Sequence, residues 1–107
     1  QIPLHLSQLP RKPSAFELHA ALEARYAGQR FVKVLPLIEG ATATTVLDPE
    51  TLNGTNQLEI MVFGNASKQQ ALLVARADNL GKGAGGQAVQ CLNLMFGFDP
   101  IAGLQNF

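Results

Sequence analysis

Ile2, Leu4 and Leu6 alternate with Pro3, His5 and Ser7, the two-residue period of a half-buried strand, and the prolines assign that strand to a sheet edge. It ends before Pro10. Ser14-Ala15-Phe16-Glu17 is a capping box, after which Leu18, Ala21, Leu22, Arg25 and Tyr26 keep a helical period until Gly28 stops it. Phe31 to Leu35 reads as a second strand. The Gly-, Ala-, Thr- and Pro-rich stretch from Pro36 to Thr55 has no clear period and reads as loop, with room for a short strand near Thr44. Further on, Leu58, Ile60 and Val62 alternate with Glu59, Met61 and Phe63, and Ala71 to Ala77 is another β-like run. Gly64-Asn65-Ala66-Ser67-Lys68 lies between them and predicts an antiparallel hairpin.

Strand, helix, strand, hairpin, helix is the order of an α+β fold, a mostly antiparallel sheet with helices on one face, rather than of repeated βαβ units. The last helix carries the most information. After Asp78-Asn79-Leu80 the chain reads Gly81-Lys82-Gly83-Ala84-Gly85-Gly86, and Gln87 to Phe96 then forms a helix with Gly97 as its stop. Gln87, Gln90 and Asn93 form one narrow polar stripe. Ala84, Ala88, Val89, Cys91, Leu92, Leu94, Met95 and Phe96 occupy the other directions, and a helix this apolar must be covered on several sides. A small sheet covers one side, so the pattern implies either a second partner surface or a central place in one compact core.

Gly81, Gly83 and Gly86 spell G-x-G-x-x-G between a strand and a helix. A Rossmann unit also needs a returning parallel strand and an acidic residue about 20 positions on. Here the corresponding residue is Asn106, so the glycines do not define a self-contained dinucleotide site. They do not match a phosphate-binding P-loop either, since Gly-Lys is not followed by Ser or Thr. Two readings remain: the amides at the helix start and Lys82 attract negative or carbonyl oxygen, or the glycines only allow tight packing.

Composition narrows the function classes. At 107 residues the chain is one domain at most, too short for a two-substrate enzyme with its own dinucleotide fold, and it reads as a part or a module. The formal charge is zero and the longest basic run is Arg11-Lys12, which argues against nucleic acid and anionic lipid as partners. No apolar run has the length of a membrane span or a signal peptide, and the start at Gln1 suggests a processed or truncated end. Cys91 is the only cysteine, so no internal disulfide can form and a cytoplasmic location is expected. Asn53-Gly54-Thr55 and Asn65-Ala66-Ser67 match the glycosylation sequon but read as turns.

His5 and His19 are isolated and make neither a metal site nor a catalytic triad. Glu17, Glu23, Glu39, Asp48, Glu50 and Glu59 are scattered and read as solvated surface. Cys91, in mid-helix among apolar neighbours, reads as a buried structural thiol.

Asp78 to Gly97, D-N-L-G-K-G-A-G-G-Q-A-V-Q-C-L-N-L-M-F-G, resembles the C-terminal signature of the N-acetyl-γ-glutamyl-phosphate reductases. Leu52 to Val62, L-N-G-T-N-Q-L-E-I-M-V, is similar to the same family, and Ile2 to Tyr26 fits its more variable middle region. Aspartate-semialdehyde dehydrogenases share the D-N-L-x-K-G-A piece. Gly54-Thr55-Asn56 and Gln87-Ala88-Val89-Gln90 favour the first family.

The resemblance implies the substrate and dimerisation domain of a glyceraldehyde-phosphate-dehydrogenase-like enzyme. Residues 1–77 would be part of that domain, and residues 78–107 a glycine-rich turn and helix returning to an NADP-binding Rossmann domain absent from this chain. It implies reduction of N-acetyl-γ-glutamyl phosphate by NADPH through a cysteine thioacyl intermediate, in arginine biosynthesis, by a homo-oligomer. The family's catalytic cysteine and histidine lie upstream of this region, so no residue here is expected to be catalytic and the chain alone is expected to be inactive. Asn79, Lys82, Gly83, Ala84 and Gly86 are the residues the resemblance places beside the cofactor and the reacting group. A non-enzymatic dimerisation module and a part of an aspartate-semialdehyde dehydrogenase are the alternatives.

Overall fold

The structure, a computed structural model, describes residues 1–40 and 47–104, and the strand expected near Thr44 lies outside them. Among the described residues seven regular elements follow in order: β1 (Ile2–His5), α1 (Ala15–Tyr26), β2 (Val32–Val34), β3 (Ile38–Glu39), β4 (Leu58–Asn65), β5 (Gln70–Ala77) and α2 (Gly86–Phe96). A 3₁₀ turn, Leu6–Gln8, follows β1, and a π-helical turn, Gly81–Gly85, leads into α2. By contact density the chain divides into two compact units, Gln1–Leu47 with Glu59–Ala75, and Asp48–Leu58 with Arg76–Phe107.

The sheet runs in the order β1-β5-β4-β2, with β3 also on β4. β1 is at the edge, as its proline requires, and pairs antiparallel with β5, Ile2 opposite Leu73 and Leu4 opposite Ala71. β4 and β5 are neighbours joined by only four residues, which permits an antiparallel hairpin and excludes a parallel crossover. The hairpin strands extend one or two residues further towards the turn than the alternating pattern indicated.

β3 corrects the loop expected from Pro36 to Thr55. It pairs parallel with β4, Ile38 opposite Phe63. The Leu35 N–H, just past β2, donates to the Ile60 carbonyl at 2.9 Å, so this segment also runs along β4. Pro36, which has no N–H to give to a ladder, lies between β2 and β3. A two-residue strand beside a proline is too short to display a period.

In α1 both halves of the capping box form. The Glu17 N–H donates to Ser14 Oγ at 3.1 Å and the Ser14 N–H to the Glu17 carboxylate at 3.3 Å. Ala15 packs into a core of Leu6, Val62 and Ala71, with Leu4, Leu9, Leu18, Leu22, Leu37 and Leu73 around it. Gly64 lets the helix start approach, since a Cβ there would lie 2.6 Å from Ala15 Cβ. His19 has an architectural role: its Nε2–H donates to the Leu35 carbonyl at 2.8 Å and ties α1 to the end of β2. Met61 and Val62 point to opposite faces of β4 yet both are buried, so the central strand has no solvent face at this point. His5 is exposed, and no group of three metal-ligating side chains exists among the described residues.

Candidate functional site

The second unit contains the glycine-rich turn. Around it, residues 53–56 line an open pocket of 560 Å³ together with Asp78, Leu80, Gly81, Gly85, Gly86, Val89, Gly103 and Leu104. One wall is the turn at Gly54, whose φ of +75° is a conformation that favours glycine, with open space where a Cβ would stand. Thr55 closes that turn: its N–H and its hydroxyl both donate to the Leu52 carbonyl, at 3.1 and 2.7 Å. Arg76 steadies the preceding segment through the Asp48 carbonyl and Thr51 Oγ1.

Asp78 joins the two walls. Its carboxylate accepts from the Gly54 N–H at 2.8 Å with one oxygen and from the Leu80 N–H at 3.0 Å with the other. The N–H groups of Leu80, Gly54 and Gly81 hold its pKa below the ordinary aspartate value. The bond from the Leu80 N–H, two residues on, makes Asp78 an Asx-type turn that leads into the helical run.

Three amides of the turn are engaged. The Gly83 N–H donates to the Asp78 carbonyl at 2.8 Å, the Gly85 N–H to the Leu80 carbonyl at 3.2 Å, and the Gly86 N–H to the Gly81 carbonyl. The helical run therefore begins at the turn rather than after it. Gly81 and Gly86 are glycines for reasons of space. A Cβ on Gly81 would strike the Thr55 carbonyl, and one on Gly86 would strike Asn56 Oδ1 and lie 2.8 Å from the Gly81 carbonyl oxygen.

Of the residues singled out in the sequence, Asn79, Gly83 and Ala84 are exposed along the turn, Lys82 is half-buried, and Gly86 is half-buried and lines the pocket. Lys82 Nζ donates to Gln90 Oε1 at 2.6 Å, and burial lowers its pKa. Gln90 Oε1 also accepts from Asn56 Nδ2 at 3.1 Å. Asn56 is 2% exposed, and its Oδ1, set against Gly86, has no hydrogen-bond partner among the described residues. Sequence reasoning did not select Asn56 or Gln90 as site residues, although Gln90 belongs to the polar stripe it identified.

That stripe points inward in part: Gln90 is half-buried and Asn93 buried, while Gln87 is exposed. Asn93 is buried, its Nδ2 donating to the carbonyls of Pro100 and Ala102 at 3.1 and 2.8 Å. Leu92, Leu94, Met95, Phe96 and Phe98 are all at least half exposed, with the rings of Phe96 and Phe98 stacked at 5.9 Å. The expected burial of Cys91 is corrected on the same grounds. It lies on the outward side and is exposed, accepting a hydrogen bond from Gln87 Nε2 at 3.6 Å.

The family model described as semialdehyde dehydrogenase, dimerisation domain, aligns with residues 2–79, and the chain belongs to that family. Among its relatives are N-acetyl-gamma-glutamyl-phosphate reductase 2 of Nostoc sp. (strain PCC 7120), 48% identical over 97% of this chain and 33% of the relative, and N-acetyl-gamma-glutamyl-phosphate reductase of Burkholderia cenocepacia (strain HI2424), 53% identical over 90% of this chain and 30% of the relative. A reductase 2 of the same name from Pseudomonas putida is 51% identical over 90% of this chain and 30% of its own length. The chain spans about a third of the length of these relatives, namely their C-terminal third.

Proposed function

We propose that this chain is the C-terminal part of an NADP-dependent reductase that converts N-acetyl-γ-glutamyl phosphate to N-acetylglutamate semialdehyde and phosphate in arginine biosynthesis, in the cytoplasm. The observation that carries the reading is identity of about half across nearly the whole chain to proteins named for that reaction. No helix among the described residues is long and apolar enough to cross a membrane, which fits it.

The catalytic groups belong to the remainder of the protein. Among the described residues, His5 is exposed on an edge strand, His19 is bound to a backbone carbonyl and Cys91 lies on an outward helix face, so they form no nucleophile-and-base pair. What this part contributes is placement. Its sheet unit supplies a dimerisation surface for a second copy, and the apolar side of α2 receives the NADP-binding domain. The cofactor, when bound, supplies the hydride. Lys82 and Asn79 are suited to hold its polar groups at the turn, a limited share that agrees with a cofactor held mainly by the other domain. Gly83, Ala84 and Gly86 keep the turn slim enough for close approach.

Phosphate-dependent reduction of NADP by N-acetylglutamate semialdehyde tests this, with the chain alone and after mixing with the N-terminal remainder. The expected result is silence alone and activity after mixing. Turnover by the isolated chain would refute the division of labour, and preference of the intact protein for aspartyl phosphate would move it to the sister family.

A further inference from the structure

Gln90 stands one helical turn beyond Gly86, and its Oε1 is shared by two donors, the Lys82 ammonium and the Asn56 amide. We infer that Gln90 is a positioning residue that presents the Lys82 ammonium to a phosphate oxygen of the bound ligand, an inference resting on the reading of the glycine-rich turn as part of the cofactor and substrate site.

Lys82 is the only basic residue after Arg76, and the amides of Leu80, Gly83, Gly85 and Gly86 are engaged by the Asp78 carboxylate or by carbonyls of the run. The positive charge that this turn offers a phosphate is therefore that of Lys82. An ammonium on a four-carbon stem has many rotamers and must be held if it is to act at a fixed place. Gln90 holds it with a neutral oxygen, which orients the charge without cancelling it, whereas a carboxylate at the same distance would do both. The holder is itself anchored. Asn56 is buried, packed on Gly86, and donates to the same oxygen, so the Gln90 amide is fixed from the interior while Lys82 reaches it from the half-exposed side. Partial burial strips water from the ammonium, which strengthens its attraction for an anion.

Gln90→Glu is nearly isosteric and keeps an acceptor for both Lys82 and Asn56, so a purely architectural role would survive it. In the full-length reductase we expect the KM for NADPH or for the acyl phosphate, whichever provides the phosphate oxygen, to rise about tenfold with little change in kcat. The KM that moves identifies the source. In the 107-residue chain, NMR titration of Lys82 is expected to show a higher midpoint in Gln90→Glu than in the parent. Gln90→Met, which removes the acceptor without adding charge, should raise the same KM and covers the case in which the glutamate variant folds poorly. If Lys82→Met impairs the enzyme while both Gln90 variants leave each KM unchanged, the role of Gln90 is overturned and the site stands. Parent-like kinetics of Lys82→Met would overturn the site reading itself.

Discussion

In the sheet unit the buried side chains are Leu6, Ala15, Phe31, Met61, Val62, Ala71 and Val74, all apolar, while in the unit of the glycine-rich turn they are Leu52, Asn56 and Asn93. The outer surfaces differ in the opposite sense. Ile2 and Phe16 are the large apolar side chains exposed on the first unit, against Leu80, Leu92, Leu94, Met95, Phe96 and Phe98 on the second. The first unit is built as a free-standing core, held by apolar burial. The second is held by directed hydrogen bonds through Asp78, Gln90 and Asn93, and it turns its apolar residues outward. Exposed apolar side chains in that number suit a surface that a partner covers. The contrast separates a part held by an apolar core from a part that keeps most of its large apolar side chains outside.

Substitutions can break this contrast at either end. The largest effect is expected from Met61→Ala, which empties a closed site in the sheet unit and should lower stability by about 3 kcal/mol in chemical denaturation. Gly86→Ala comes next, at about 2 kcal/mol, because the new methyl meets Asn56 and the Gly81 carbonyl. Its damage should appear in hydrogen exchange of residues 81–96 while β4 and β5 stay protected. Equal loss of protection in both units would show that they unfold as one. Ser14→Ala removes the N-cap of α1 and should cost about 1 kcal/mol, confined to the sheet unit.

Acid should act in the reverse place. The Asp78 pKa is lower in the folded chain than its ordinary value, so its stabilisation is complete above the ordinary aspartate range and is lost as pH falls through the folded value. The amide signals of Leu80 and Gly54 should shift together in that low-pH window, and Asp78→Asn should abolish the shared titration. The smallest stability effect is expected for Met95→Lys, within about 0.5 kcal/mol, since the side chain is already 79% exposed. Its consequence lies in association: the variant should bind the N-terminal remainder more weakly in sedimentation or titration experiments, and undiminished binding would rule out that face as the contact.

Much of the sheet unit was legible because its signals are local. The capping box at Ser14, the stop at Gly28, the edge proline at Pro3 and the alternation of the hairpin all act within a few residues. β3 escaped because two residues beside Pro36 form a strand only by borrowing the register of β4. The site was legible as a motif but not as an arrangement. The glycines were conspicuous in the sequence, yet which of them tolerate a side chain depends on Thr55 and Asn56, some 25 to 30 residues earlier in the chain. The misplaced burial of Cys91 has the same origin, since an apolar helix normally buries its apolar side and α2 leaves much of its own exposed.

By itself the sequence determined the succession of elements, the absence of an internal disulfide and the existence of a helix with more apolar surface than a small sheet can cover. Those properties follow from period, capping and composition, which act between near neighbours. Only the tertiary structure decided that Asn93 of the polar stripe is buried while Gln87 stays exposed, that Asp78 ties the turn at Gly54 to the Leu80 amide, and that Gln90 joins Asn56 to Lys82. These depend on which distant side chain supplies the partner for each buried polar group. A hydrogen bond contributes only where donor and acceptor meet, and the folded chain decides where that is.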